Sequence, residues 1–130
     1  MSQAAGRILI VDDEPPLLRM MSVYLGRLGY QVTAVNSTDK AWAEVQAAPA
    51  DFAVAVLDAT MPGMSAEDLA LRILGANVSI RVIAASGYPV DMTAMESAAP
   101  GRVMFLHKPF VPEMLADAVR RMLGSKKEAV

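Results

Sequence analysis

The sequence predicts an α/β fold, a doubly wound parallel sheet of five strands alternating with five helices, and three observations carry that prediction. Short apolar runs rich in branched residues alternate along the chain with stretches of helical apolar spacing, the pattern that right-handed crossovers between parallel strands produce. The central run, Phe52 to Leu57 (FAVAVL), holds no polar residue in either phase, which suits a strand covered on both faces. Hydrophobic residues make up 54% of the chain and charged residues 20%, too apolar for a disordered chain and enough for a sheet buried on both sides. At 130 residues the chain is expected to form one domain, residues 1–130, with its core from about residue 7 to residue 123.

Arg7 to Val11 (RILIV) reads as the first strand and ends in Asp12, Asp13 and Glu14. Pro15 and Pro16 can open a helix, because the first helical positions have no intrahelical N–H partner to lose. Leu17, Leu18, Met21, Tyr24, Leu25 and Leu28 then recur at helical spacing, and Gly29 is a C-terminal stop. Tyr30 to Val35 alternates weakly as the second strand. Asn36, Ser37 and Thr38 are cap candidates for a helix through Ala48, whose stripe is Ala41, Trp42 and Val45.

The central strand ends in Asp58, and Pro62 and Gly63 force a loop after it. Ser65 and Asp68 have capping-box spacing and open a helix to about Leu74, with Gly75 and Asn77 ending it. Val78 to Ala85 is the fourth strand, stopping at Ser86-Gly87; Val90 to Ala99 is a weak helix between Pro89 and Pro100. Arg102 to Leu106 is the fifth strand, ending in His107-Lys108-Pro109. Pro112 opens a last helix with Leu115, Ala118, Val119, Met122 and Leu123 on one face. Gly124 to Val130 reads as a polar tail.

Charge and composition narrow the function. Twelve basic against fourteen acidic residues give a net charge of −2 with no basic block, so direct contact with nucleic acid is not expected. The longest stretch free of charged residues, Leu28 to Thr38, is too short to cross a bilayer. The absence of Cys excludes disulfides and thiolate metal sites, and a cytoplasmic location is the expectation.

A parallel sheet brings all its strand C-termini to one edge, where open α/β sheets place ligands. Asp12, Asp13, Asp58, Ser86 and Lys108 are the polar residues delivered there, from strands one, three, four and five. Taken singly, each has an ordinary reading. Asp12 or Asp13 would cap a helix, Asp58 would cap the turn at Thr60 and Met61, Ser86 would serve its turn, and Lys108 would be a solvated strand end. Their coincidence is the argument. Two carboxylates roughly 4 Å apart repel by about 4 kcal/mol at an effective dielectric near 20, so the cluster needs cations. Lys108 supplies one charge, and a hard, oxygen-ligated ion such as Mg²⁺ or Mn²⁺ would supply more. Other features have plainer readings. His107, the single histidine, reads as an exposed neighbour of Lys108 and no ligand. The ten Met residues and Trp42 read as core, and Arg120, Arg121, Lys126 and Lys127 complement the last helix's negative end.

In combination, the strand ending in Asp12-Asp13, Leu57-Asp58-x-x-Met61-Pro62-x-Met64, Ser86-Gly87 and Lys108-Pro109-Phe110 resemble the receiver domain of two-component response regulators, from Ile8 to about Leu123. The resemblance implies a flavodoxin-like sheet in the order 2-1-3-4-5. It implies that Asp58 accepts a phosphoryl group from a phosphohistidine on a sensor histidine kinase or histidine phosphotransfer domain. Asp13 and Asp58 would bind Mg²⁺ directly, Asp12 through water, and the Thr60 main-chain carbonyl would complete the protein ligands. Ser86 and Lys108 would each contact a phosphoryl oxygen, and the Lys108–Pro109 bond would be cis. Ser86 and Phe105 would move together as a switch, reshaping the face of the fourth helix, fifth strand and fifth helix for a downstream protein target. Such a domain is no enzyme beyond self-catalysed phosphoryl acceptance and autodephosphorylation.

Three positions depart from the family's pattern. Phe105 stands where many members have Tyr, Ala66 where Gly is usual, and Val111 where Asp or Ser would cap the last helix. The Ser86-Gly87-Tyr88 and Phe105-Leu106-x-Lys108-Pro109-Phe110 pattern looks similar to receivers of hybrid sensor kinases, with a free-standing regulator as the alternative. Two rival functions remain on similar folds. An aspartyl-phosphate phosphatase of the haloacid dehalogenase type would need a second acid at Thr60. A flavin module would need a phosphate-binding loop where Asp12, Asp13 and Glu14 stand.

Overall fold

The computed structural model describes residues 6–61 and 63–128, with side chains described up to residue 124. Five strands alternate with five helices: β1 (Arg7–Val11), α1 (Pro15–Arg27), β2 (Gln31–Val35), α2 (Thr38–Ala47), β3 (Phe52–Asp58), α3 (Ala66–Ala76), β4 (Arg81–Ser86), α4 (Thr93–Ala98), β5 (Val103–His107) and α5 (Pro112–Glu128). The strands form one sheet in the order β2-β1-β3-β4-β5, and every pair is parallel. This is the flavodoxin-like order 2-1-3-4-5.

The uninterrupted apolar run of β3 has a direct cause. Val54 and Val56 enter the core beneath α1 and α5, with Met21, Leu25, Leu115 and Val119. Ala55 and Leu57, pointing the other way along the pleat, enter the core beneath α2, α3 and α4, with Val45, Leu69, Ile73 and Met95. Both faces are covered, so neither phase of β3 tolerates a polar side chain. Strand β2, at the sheet edge, leaves Gln31 and Ala34 exposed, which is why its alternation is weak.

Several expected boundaries move. Helix α3 runs past Gly75 to Ala76, with Asn77 as its C-cap, because Arg102 from the start of β5 donates to the Leu74 and Asn77 carbonyls at 3.3 and 2.6 Å. Strand β4 begins at Arg81, since Asn77 Oδ1 accepts the Ser79 N–H at 2.8 Å and turns the preceding residues. Helix α4 is shorter than expected, starting at Thr93, whose N–H is taken at 3.0 Å by Asp91. Strand β2 starts at Gln31 and β5 spans Val103–His107; α2 stops at Ala47, with Ala48 as its cap. Gly124 to Glu128 belong to α5 rather than to a tail, and residues 129–130 lie outside the described residues. Trp42 is partly buried, packed on the core's margin with the Arg72 guanidinium 6.0 Å from its ring. Ala66 opens α3 behind Ser65, whose hydroxyl accepts the Asp68 N–H at 3.0 Å; no described residue other than glycine has positive φ, so Ala there carries no backbone strain.

Candidate functional site

Asp12, Asp58 and Ser86 sit at the C-terminal ends of β1, β3 and β4, with relative exposures of 1%, 4% and 1%. Each is held by the same local device, an oxygen that accepts the main-chain N–H two residues on. Asp12 Oδ1 takes Glu14 N at 2.9 Å, Asp58 Oδ1 takes Thr60 N at 2.9 Å, and Ser86 Oγ takes Tyr88 N at 3.0 Å. The turn readings of Asp58 and Ser86 are therefore realised and coexist with the clustering, whereas Asp12 holds the turn at Glu14 and caps no helix, since the N-cap of α1 is Glu14 with no side-chain cap bond.

Lys108, just past β5, joins the cluster. Its Nζ lies 3.1 Å from Asp12 Oδ2, 3.3 Å from Asp58 Oδ2 and 3.8 Å from Glu14 Oε1. Its backbone N–H donates to the Ser86 carbonyl at 2.8 Å, which fixes the end of β5 against β4. The Lys108–Pro109 peptide bond is cis. Asp13 is exposed, yet one carboxylate oxygen from each of Asp12, Asp13 and Asp58 falls within 4.8 Å of the others. Those three residues could hold a metal ion.

Burial pushes the Asp12 carboxyl above the ordinary carboxylate range, an effect that the Glu14 N–H and Lys108 oppose and that Asp58 reinforces. Burial works against the Lys108 ammonium too, but Asp12 and Asp58 outweigh it and hold the group above its ordinary value. Lys108 is thus a permanent cation at the centre of a site with more negative than positive charge.

Thr60 shows a feature that sequence reasoning missed. Its hydroxyl donates to Asp58 Oδ1 at 2.8 Å, alongside its own N–H. The spacing permits this, since a Thr two residues after an Asp can bond that carboxylate twice, but the rotamer that makes the second bond is not encoded in it. Glu14 was also missed as a third carboxylate near Lys108. Phe105 is half-buried on β5, its ring edge-on to His107 with centroids 6.1 Å apart and planes at 81°; His107 is exposed. Pro62 lies outside the described residues; Gly63, at φ +89, takes a conformation in which other residues are strained. Among the described residues no helix is long and apolar enough to cross a membrane.

The family model of the response regulator receiver domain matches residues 8–120. Among curated proteins the chain is 32% identical to the DNA-binding transcriptional regulator NtrC of Bradyrhizobium sp. (strain RP501 Parasponia), over 97% of this chain and 26% of that protein. It therefore spans about a quarter of that relative's length. It is 29% identical to the chemotaxis protein CheY1 of Helicobacter pylori, over 92% of this chain and 98% of that one. Among solved structures, the receiver domain of the hybrid histidine kinase CckA superposes with a TM-score of 0.77 at 26% identity, covering 91% of this chain and 99% of that domain. With the carboxylate cluster at the expected sheet edge and the family's motifs in register, the chain belongs to the response regulator receiver domain family, the phosphoacceptor signalling domains of two-component systems.

Proposed function

We propose that Asp58 takes up the phosphoryl group and that a hard divalent cation, Mg²⁺ or Mn²⁺, assists from a site formed by Asp12, Asp13, Asp58 and the Thr60 main-chain carbonyl. The observation that carries this reading is the position of Asp58 itself. One of its oxygens lies 3.3 Å from the Lys108 ammonium, and it shares a cluster with two further carboxylates at neighbouring strand ends. The donor set fits such an ion: it is all oxygen, and its negative charge exceeds what one ammonium can balance. When bound, the cation supplies positive charge opposite the transferring phosphoryl oxygens.

The protein's own groups do the rest. An Asp58 oxygen forms the new O–P bond as the P–N bond of a phosphohistidine breaks, with the imidazole as leaving group. Lys108 faces the negative charge brought in by the phosphoryl group. Ser86 Oγ accepts from Tyr88 N, which leaves its own proton free to donate to a phosphoryl oxygen. Hydrolysis of the acyl phosphate by water returns Asp58 and inorganic phosphate, so the chemistry is self-directed and the domain is no enzyme toward other substrates. The phosphoryl donor is a sensor histidine kinase or a histidine phosphotransfer domain.

Output follows from a coupled movement of Ser86 and Phe105 that reshapes the face of α4, β5 and α5 for a protein target. Tyr88, Val111 and Met114, exposed large apolar residues beside those elements, support a protein rather than a nucleic-acid partner. We place the domain, with its core at residues 7–123, in the cytoplasm. A small phosphodonor such as acetyl phosphate tests the reading. Intact-mass spectrometry should show a single phosphoryl adduct that requires Mg²⁺ and disappears in Asp58→Asn. Undiminished labelling of that variant would sink the assignment.

A further inference from the structure

We infer that the Thr60 hydroxyl competes with the divalent cation for Asp58, making Thr60 a positioning residue that sets how readily the acidic site is occupied. The inference rests on the cation site proposed above, and it concerns a side chain whose main-chain carbonyl alone figures there.

The lone pairs of Asp58 are nearly all engaged. Oδ1 accepts two hydrogen bonds from one residue, Thr60 N at 2.9 Å and Thr60 Oγ1 at 2.8 Å. A carboxylate oxygen offers about two lone-pair directions, so Oδ1 is filled from within its own turn. Oδ2 faces the Lys108 ammonium at 3.3 Å. Three of the carboxylate's about four lone-pair directions are thus taken, and the fourth, on Oδ2, lies beside the Lys108 ammonium; a cation that ligates Asp58 without meeting that like charge must displace one of the three donors.

They do not yield equally. The Thr60 N–H is fixed by the backbone of the turn. Lys108 is shared between Asp12 at 3.1 Å and Asp58 at 3.3 Å, and moving it would leave two buried carboxylates without their cation. The Thr60 hydroxyl turns about single bonds, and Thr60 is exposed, so water can replace the carboxylate as its partner. It is the donor that gives way. The cost of that exchange is one charge-assisted hydrogen bond set against a solvated alternative, and it is subtracted from cation affinity.

The test is Mg²⁺ binding by isothermal titration calorimetry, a readout independent of phosphorylation, on wild type, Thr60→Val and Thr60→Ser. Valine keeps the branched shape without the donor and should bind roughly two- to tenfold tighter, the worth of one such hydrogen bond. Serine restores the hydroxyl and should match wild type. A Thr60→Val variant that binds no tighter than a wild type that does bind overturns the role of the hydroxyl alone, as would a Thr60→Ser variant that tracks valine. A wild type that takes up no Mg²⁺ overturns the cation site, and this inference with it.

Discussion

Asp12 is the residue where burial and charge conflict most directly. Its carboxyl is almost inaccessible, and burial raises its affinity for a proton despite hydrogen bonds from Glu14 N and Lys108. The native state therefore binds the proton more tightly than the unfolded chain, whose value lies near 3.8. Stability falls wherever the native state holds more protons. In the metal-free protein, Asp12 thus subtracts stability as pH rises from about 3.8 to its raised native value, and the loss persists above it. Asp12→Asn removes this term. Its stability relative to wild type, from urea midpoints in the presence of a chelator, should climb through that window and then level off; a difference independent of pH would refute the argument. Lys108 has the opposite sense: its contribution is present below its ordinary value of 10.5 and is lost as pH rises through its elevated native value. At this scale the site was legible in the sequence, because Asp12, Asp58, Ser86 and Lys108 each follow an apolar run and a parallel sheet gathers such ends. The Thr60 hydroxyl bond was not, because it depends on a side-chain rotamer that spacing does not encode.

Among the elements, α5 starts with a defect. Val111 precedes Pro112 and lends its carbonyl to the Met114 N–H at 2.9 Å, but an isopropyl group can accept nothing from the helix's free amides. Val111 is 52% exposed, so its replacement opens no cavity. Val111→Ser should stabilise the domain by about 1 kcal/mol, seen as a melting temperature roughly 3–5 °C higher; an unchanged melting temperature would show that the cap is not limiting. The starts of α2 and α3 were readable, with Ser37 and Ser65 accepting from Lys40 N and Asp68 N at 3.1 and 3.0 Å, while α4 starts at Thr93 and not at Val90. Several ends were not. Gly75 has the composition of a stop, but the guanidinium of Arg102 reaches the end of α3 from β5 and bonds its carbonyls, an interaction between residues 28 apart that local propensity cannot register. Strand β4 likewise starts late because of the side chain of Asn77, which also holds Pro49 O and Phe52 O at 2.6 and 3.1 Å.

For the whole molecule, the order of the strands makes the site a collective property. Asp12 follows β1, Asp58 ends the neighbouring strand β3, Ser86 ends β4 and Lys108 follows β5, so the cluster exists only when these four strands have come together. A ligand that binds the folded state alone stabilises it by mass action, by about 2.7 kcal/mol at a hundredfold excess over its dissociation constant. Saturating Mg²⁺ should accordingly raise the melting temperature by roughly 10 °C. Wild type showing no rise, in buffer freed of divalent ions beforehand, would count against a cation at Asp12, Asp13 and Asp58.

The pairing of Lys108 with Asp12 spans 96 positions of sequence. On the ribosome, the acids of β1 and β3 emerge long before the lysine that balances them. A nascent chain that has delivered β1 through β4 carries its acidic cluster uncompensated, and its sheet still lacks the strand that packs against β4. Charge neutralisation and the addition of β5 to the sheet therefore arrive together, so a chain that has emerged only through β4 lacks the ammonium that balances Asp12 and Asp58.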